Sequence, residues 1–201
     1  MHWLACRTGS VRCGRSVFRS SNTRQKRSWI RMAVLNPDHL LDQAERLTML
    51  PGGGGAPRQA DLRRAISSAY YGVFHAVLTA AADSLVGKTQ RHTPRYELVY
   101  RSINHRSLRS ICEDVVKITI PAKFSKYEPR GGFGPDLKAL ATAVIELQEK
   151  RHAADYDPLF RARRSDAVLA VATGRTALVR LWSSSSTRRK AFLSLVVFSP
   201  R

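Results

Sequence analysis

Apolar residues along this chain recur at spacings of three and four, with no sustained alternation of two. That periodicity predicts helices and no sheet. Asn36-Pro37 supplies an N-cap followed by proline at the first helical position, where its missing N–H costs nothing. Leu40, Leu41, Ala44 and Leu47 follow at helical spacing and Pro51 closes the segment. Gly52–Gly55 reads as a flexible connector. The longest helix is predicted from about Gln59 to Val86, with Leu62, Ile66, Ala69, Val73, Val77 and Ala80 as one apolar stripe. Its flanks are also rich in Ala, Tyr and Phe, which marks it as the central helix. Gly72 in its middle costs about 1 kcal/mol against alanine, most simply explained by a partner helix approaching closely there.

Gly87 ends that helix, and Pro94 begins a short one running through Tyr100 and Ile103. Leu108–Lys117 follows, with Leu108, Ile111, Cys112 and Val115 inward. Pro121 to Pro135 reads as a long loop containing Gly131-Gly132-Phe133-Gly134. Asp136 is the expected N-cap of a helix over Leu137–Asp155, whose inner face is Leu140, Val144 and Leu147. Ser165-Asp166 opens a last helix with Leu169, Ala172, Ala177 and Leu181 as its buried face. The expected fold is all-α, an antiparallel bundle of about five to six helices.

Composition divides the chain. Its 201 residues suit one domain, and the formal charge is +19. Met1–Arg31 holds eight Lys/Arg and no acid, and Ser183–Arg201 holds four more and no acid. Met32–Trp182 therefore carries 22 bases against all 15 acids, a moderately basic body that attracts RNA, DNA or anionic lipid, or simply solvates its charge. The expected organisation is a basic tail over 1–31, a helical domain over 32–182 and a C-terminal tail over 183–201. The first tail matches an organellar transit segment in composition, or precedes the true start at Met32; the abrupt change at a methionine favours the second reading. The Ser183–Ser186 run and the apolar Ala191–Phe198 stretch look foreign to the body. Cys6, Cys13 and Cys112 make no disulfide framework and no CxxC pair, which suits a reducing, cytoplasmic setting. The apolar stretches look too short or too interrupted to span a membrane.

Two glycine motifs are decoys. Gly87-Lys88-Thr89 would need Gly where Ala82 stands, and a strand before it, to be a phosphate-binding loop. Gly131–Gly134 lacks a strand–turn–helix setting. There is no HExxH motif and no Cys/His cluster, so neither metal nor cofactor is expected.

Three groups of residues carry candidate chemistry. Arg64, Ser68, Tyr71 and His75 follow at spacings of four, three and four on the central helix. Arg64 there either holds a phosphate while His75 acts as acid, base or RNA ligand, or Tyr71 and His75 are half-buried with their polar tips bonded to neighbouring helices. Arg101 and His105, flanked by Arg106 and Arg109, form either a basic surface for a nucleic-acid backbone or a solvated face. The densest group is Arg151-His152-Ala153-Ala154-Asp155-Tyr156-Asp157-Pro158. Arg151 and Asp155 stand four apart and pair along a helix, worth about 0.3–0.5 kcal/mol if exposed. Asp157 precedes proline and is biased away from helix, so the helix ends there, and the group is either a site or a capping and packing cluster that fixes the last turn.

Two of these segments together resemble the HEPN domain. Leu62–Ala76, with Arg64-Ala65-Ile66-Ser67-Ser68-Ala69-Tyr70-Tyr71-Gly72-Val73-Phe74-His75, resembles the family's Arg-Ala-x-Ser-x-Ala-Tyr-Tyr-x-x-Phe-His helix. Arg151-His152-Ala153-Ala154-Asp155-Tyr156 resembles its Arg-x-x-Ala-Asp-Tyr ending. The resemblance spans roughly Leu35 to Leu181. It implies a small helical bundle that forms a homodimer, associates with RNA, and in several members is a toxin paired with a minimal nucleotidyltransferase antitoxin. The family's ribonuclease motif is Arg, a polar residue, a few more positions and then His. Arg151 and His152 match its start, but Tyr156 stands where the downstream His is expected and no histidine follows. An ordinary tyrosine titrates near about pH 10 and is a poor proton acceptor for cleavage through a ribose hydroxyl.

The expectation is therefore an RNA- or nucleotide-associated protein, toxin-like within a toxin–antitoxin pair, that is non-cleaving or weakly active. Arg151 would contact phosphate, His152, Asp155 and Tyr156 would shape the site, and Arg64, Tyr71 and His75 would support it. The alternatives are a metal-independent endoribonuclease using Arg151 and His152, or a dimerisation module without nucleic-acid binding. In some relatives a tyrosine near this motif is modified with a nucleotide by the antitoxin, a role the resemblance would assign to Tyr156.

Overall fold

The structure, a computed structural model, describes residues 35–49 and 55–198. The basic segment before them, with Cys6, Cys13 and Met32, lies outside the described residues, as do Pro51 and most of the glycine connector. Among the described residues there are eight α-helices and no strand. They are α1 (Pro37–Thr48), α2 (Gln59–Leu85), α3 (Pro94–Ser102), α4 (His105–Val116), the single turn α5 (Ala122–Ser125), α6 (Gly134–Tyr156), α7 (Arg164–Ser183) and α8 (Ser186–Val197). All are joined by one continuous core.

Helix α2 is the axis of the bundle and packs against α1, α3, α6, α7 and α8. Leu62, Ile66, Ala69, Val73, Val77 and Ala80 are all buried, as the stripe predicts. Tyr70, Phe74, Ala65 and Ala81 are buried too, so neighbours cover more than one side. Contrary to the expectation from sequence, α2 is long and apolar enough to cross a membrane by length and composition, but 89% of that window is buried inside the protein. That is the environment of a core helix.

Asn36 starts α1 by accepting from the Asp38 N–H at 3.1 Å, and Pro37 occupies the first turn. The helix presses on α2 at Gly72: a Cβ there would lie 3.0 Å from Leu41 Cγ and Cδ2. The close approach that Gly72 foretells is made by Leu41. The same leucine also abuts α7, since a Cβ on Gly174 would come within 2.9 Å of its Cδ2.

Small residues likewise set the buried face of α7, which is Ala167, Ala170, Val171, Gly174, Ala177, Leu178 and Leu181. Ala177 and Leu181 sit as expected, whereas Leu169 and Ala172 are exposed. Alanines and glycine face α2 because they let two backbones come close; the larger Leu169 is displaced to the rim.

Helix α6 begins at Gly134, two residues before the expected cap, with Asp136 inside its first turn and paired to Arg180 at 3.0 Å. Gly134 takes φ +78°, and Arg188 of α8 packs where its side chain would be. Leu137, Leu140, Val144 and Leu147 are buried. The loop before it contains α5, whose Phe124 plugs the core.

The described part of the C-terminal segment, residues 183–198, is not a tail. In α8, Phe192, Leu193, Leu195 and Val196 are buried in the common core. Arg189 joins α8 to the end of α7 by donating to the carbonyls of Leu181, Trp182 and Ser184, the last at 2.7 Å. The apolar run that looks foreign by composition completes the core of the bundle.

Candidate functional site

The last two turns of α6 lie against the first half of α2 and the start of α4. Arg151 sits on the inner side of α6, only 8% exposed. Its Nη1 donates to the Tyr71 hydroxyl at 3.2 Å and faces Asp155 Oδ2 at 3.5 Å. The guanidinium carbon also stands 5.4, 5.8 and 5.7 Å from the ring centres of Tyr70, Tyr71 and Tyr156. Cation–π attraction of this kind strengthens when water is excluded. Burial works against the charge, but the hydroxyls of Tyr71 and Tyr156 and the Asp155 carboxylate more than offset it, and the guanidinium pKa is raised. Asp155 is held from its other side by the Ser67 hydroxyl.

Arg63 closes the end of α6. Its Nε donates to the Ala154 carbonyl and its Nη2 to the Asp157 carbonyl, both at 2.6 Å. The Ala154 carbonyl would otherwise be an orphan, since Pro158 has no N–H to offer it, whereas the Asp157 carbonyl also accepts from the Phe160 N–H at 3.3 Å. A cation at a helix C-terminus also suits the helix dipole. Arg64, the residue singled out by the stripe, is exposed and has no hydrogen bond or ion pair among the described residues.

Two histidines lie deeper. His75 Nδ1 is 2.7 Å from the Tyr100 hydroxyl, and its ring stacks beside Tyr71. His105 Nδ1 is 2.8 Å from the Tyr70 hydroxyl, and its ring lies 4.0 Å from that of Phe74. Burial lowers the pKa of both imidazoles, and the charge of Arg151 lowers His105 further. Burial also raises Tyr70 and Tyr100, so these phenols keep their protons. Tyr71 and His75 thus follow the half-buried alternative, their tips bonded to neighbouring helices.

The outer side of the same helix end is different in character. His152 and Tyr156 are exposed, with ring centres 5.0 Å apart and planes tilted by 53°. A pocket of about 440 Å³ opens beside His152, lined also by Arg109, Gln148, Glu149, Arg151 and Asp157. Arg151 and His152, adjacent in sequence and inward against outward in direction, therefore border one cavity.

No family model matches the chain. Nothing among curated proteins or solved structures matches it either.

The anticipated basic surface does not form on one helix face. Ile103 and Asn104 interrupt the helix between Arg101 and His105, where the Asn104 and Ser107 side chains cap α4 reciprocally. Arg101 stays on α3, exposed and paired to Glu97, and Arg106 is exposed. His105 turns into the aromatic cluster, and Arg109 is neutralised by Glu113 and Glu149 at 2.6 and 2.7 Å. Among the described residues no group of three His, Cys, Asp or Glu is placed to hold a metal. Cys112 is fully buried, and burial pushes its thiol pKa up.

Arg63, Ser67, Tyr70 and Gln148 belong to the site and are missing from the sequence-based candidates. A signal for the first three exists: they recur at spacings of four and three on α2, one position before the stripe of Arg64, Ser68 and Tyr71. On a helix, one residue is a rotation of about 100°.

Proposed function

We propose that this chain binds RNA, or a nucleotide-bearing partner, at the C-terminal end of α6 without cleaving it. The observation that carries the reading is the exposed His152–Tyr156 ring pair, whose histidine lines a pocket also bordered by the buried Arg151. Exposed aromatic rings beside a cationic group are a stacking platform for bases, each stacked base contributing about 1–3 kcal/mol. The non-cleaving part rests on the disposition of histidines. His75 and His105 face inward onto tyrosines, which leaves His152 as the site's one exposed imidazole among the described residues. Hydrolysis by proton transfer needs both an acid and a base within reach of the reacting atoms.

The test is fluorescence anisotropy of a labelled single-stranded RNA against the full chain at several salt concentrations. His152→Ala/Tyr156→Ala should weaken binding about tenfold or more while lowering the thermal unfolding midpoint by only a few degrees, the cost of the Tyr156 contact with Arg151. Unchanged affinity in that variant overturns the reading. RNA fragments produced in EDTA by the wild type and not by His152→Ala would favour the endoribonuclease alternative.

Tyr156, 65% exposed, supports a second reading of the same residue. In a toxin–antitoxin pair its hydroxyl would attack the α-phosphate of a nucleoside triphosphate held by a nucleotidyltransferase partner, releasing pyrophosphate and a proton. Mass spectrometry of the Tyr156 peptide after coexpression with such a partner checks this, with Tyr156→Phe as the control. Homodimer formation is part of the same proposal and is read from the mass in solution.

A further inference from the structure

Gln148 and Arg151 stand three residues apart on α6 and so share a face of the helix. Both line the pocket beside His152. The Gln148 Nε2 donates to the His105 carbonyl at 3.3 Å, which orients the carboxamide and leaves its oxygen to find another partner. It has none: Oε1 is buried and accepts no hydrogen bond. Arg151 spends Nη1 on Tyr71 and Asp155, but its Nε–H is also buried and unpartnered. A lone acceptor and a lone donor therefore lie on one face of one helix, on residues bordering one cavity. Buried polar groups are nearly always partnered, and an unmet one is costly. Two together, one of each kind, are open to a complementary group from outside the chain.

Charge narrows the chemistry. The pocket's two arginines are already opposed by carboxylates: Arg109 by Glu113 and Glu149, and Arg151 by Asp155, with Asp157 also on the wall. A bare phosphate entering here meets acids as well as bases. A neutral ligand with adjacent acceptor and donor meets no such opposition.

We infer that this pocket reads the edge of a nucleobase. A ring nitrogen or carbonyl of the base accepts from the Arg151 Nε–H, and the neighbouring N–H of the base donates to Gln148 Oε1. Base edges carry such adjacent donors and acceptors, and unstacked bases of single-stranded RNA are read in this way. The exposed rings of His152 and Tyr156 offer a stacking face at the rim. Both polar atoms are covered in the free chain, so the pocket wall shifts on binding. The Arg109–Glu149 pair in that wall has a carboxylate 61% exposed, and exposed pairs part readily. This inference rests on the RNA-binding reading above and adds to it the part of the nucleotide that the pocket takes.

The experiment is titration of the isotope-labelled full chain with adenosine, uridine and inorganic phosphate, following the Arg Nε–H resonances by NMR. A nucleoside should shift the Arg151 signal saturably, and phosphate at equal concentration should not. Gln148→Met removes the acceptor at similar volume, and Arg151→Lys keeps the charge but loses the Nε donor. Each should weaken nucleoside binding about tenfold or more, with circular dichroism confirming the fold. Saturation by phosphate alone, or wild-type nucleoside affinity in both variants, overturns the inference. Wild-type RNA affinity in both variants together with no nucleoside binding overturns it while leaving the RNA reading intact. Absence of both RNA and nucleoside binding in the wild-type chain overturns both.

Discussion

The Arg151 guanidinium and the Tyr71 hydroxyl, 80 residues apart in sequence, are joined at 3.2 Å and tie the end of α6 to the middle of α2. Arg151 is therefore a clasp as well as a pocket wall. Tyr71→Phe removes the acceptor and leaves Nη1 with only the longer contact to Asp155. A hydrogen bond to a charged group contributes about 1.5–3 kcal/mol, so urea denaturation should show a loss of about 1–2 kcal/mol at this half-buried position. Arg151→Ala should cost more, because it also leaves Asp155 without its cation. Loss of RNA binding in that variant alone does not separate binding from folding, which is why His152 and Tyr156 are the diagnostic positions.

Arg63 and Arg64 should behave oppositely. Arg63→Ala leaves the Ala154 carbonyl without a donor and the Asp157 carbonyl with only the Phe160 N–H, at 3.3 Å. Hydrogen exchange should then rise in the amides of residues 153–157, and stability should fall by about 1–2 kcal/mol. Arg64→Ala should change neither beyond about 0.5 kcal/mol, as expected for an exposed residue with no partner. Equal effects from the two would contradict the assignment.

Much of this site is written in the sequence at the level of spacing but not of direction. The α2 stripe from Leu62 to Ala80 is legible because large apolar residues mark its phase. The buried face of α7 is not, since Ala167, Ala170 and Gly174 are buried for their smallness and hydrophobicity points instead to Leu169. Helix ends show the same contrast. Asn104 with Ser107 is a readable start signal that separates Arg101 from His105, whereas α6 starts at Gly134 with no side-chain cap. In α8 the short run of Phe192, Leu193, Leu195 and Val196 becomes interpretable only when the bundle's open face is known.

Acid should weaken the fold through His75 and His105. Burial holds both imidazoles neutral, with pKa values below the ordinary 6.5, and Arg151 adds its charge against protonation of His105. The unfolded chain then binds protons more readily than the folded one. Their contribution is fully present above about pH 7, declines as pH falls through 6.5, and levels once the folded imidazoles also protonate. The thermal midpoint should be lower at pH 5.5 than at pH 7.5, and His75→Phe/His105→Phe should flatten that dependence. A wild-type midpoint constant over this range would rule the account out.

Removing α8 should unfold the domain. Phe192, Leu193, Leu195 and Val196 are each at most 4% exposed. Burying four such side chains contributes roughly 6–12 kcal/mol, comparable to the whole net stability of a domain. A chain ending at Ser185 should show no cooperative unfolding transition; a soluble product with the full-length midpoint would refute this.

The covering of α2 also has a consequence for synthesis. This helix is sheathed in part by segments made much later: Tyr71 waits for Arg151, and Gln59 waits for the Ala162 N–H, 103 residues on. At roughly 5–20 residues per second, a strongly apolar helix stands without its sheath for several seconds after it is made. Nascent chains stalled between residues 90 and 150 are accordingly the form of this protein most in need of chaperone protection, and a cell that lacks it should accumulate aggregates of N-terminal fragments before it loses any of the finished bundle.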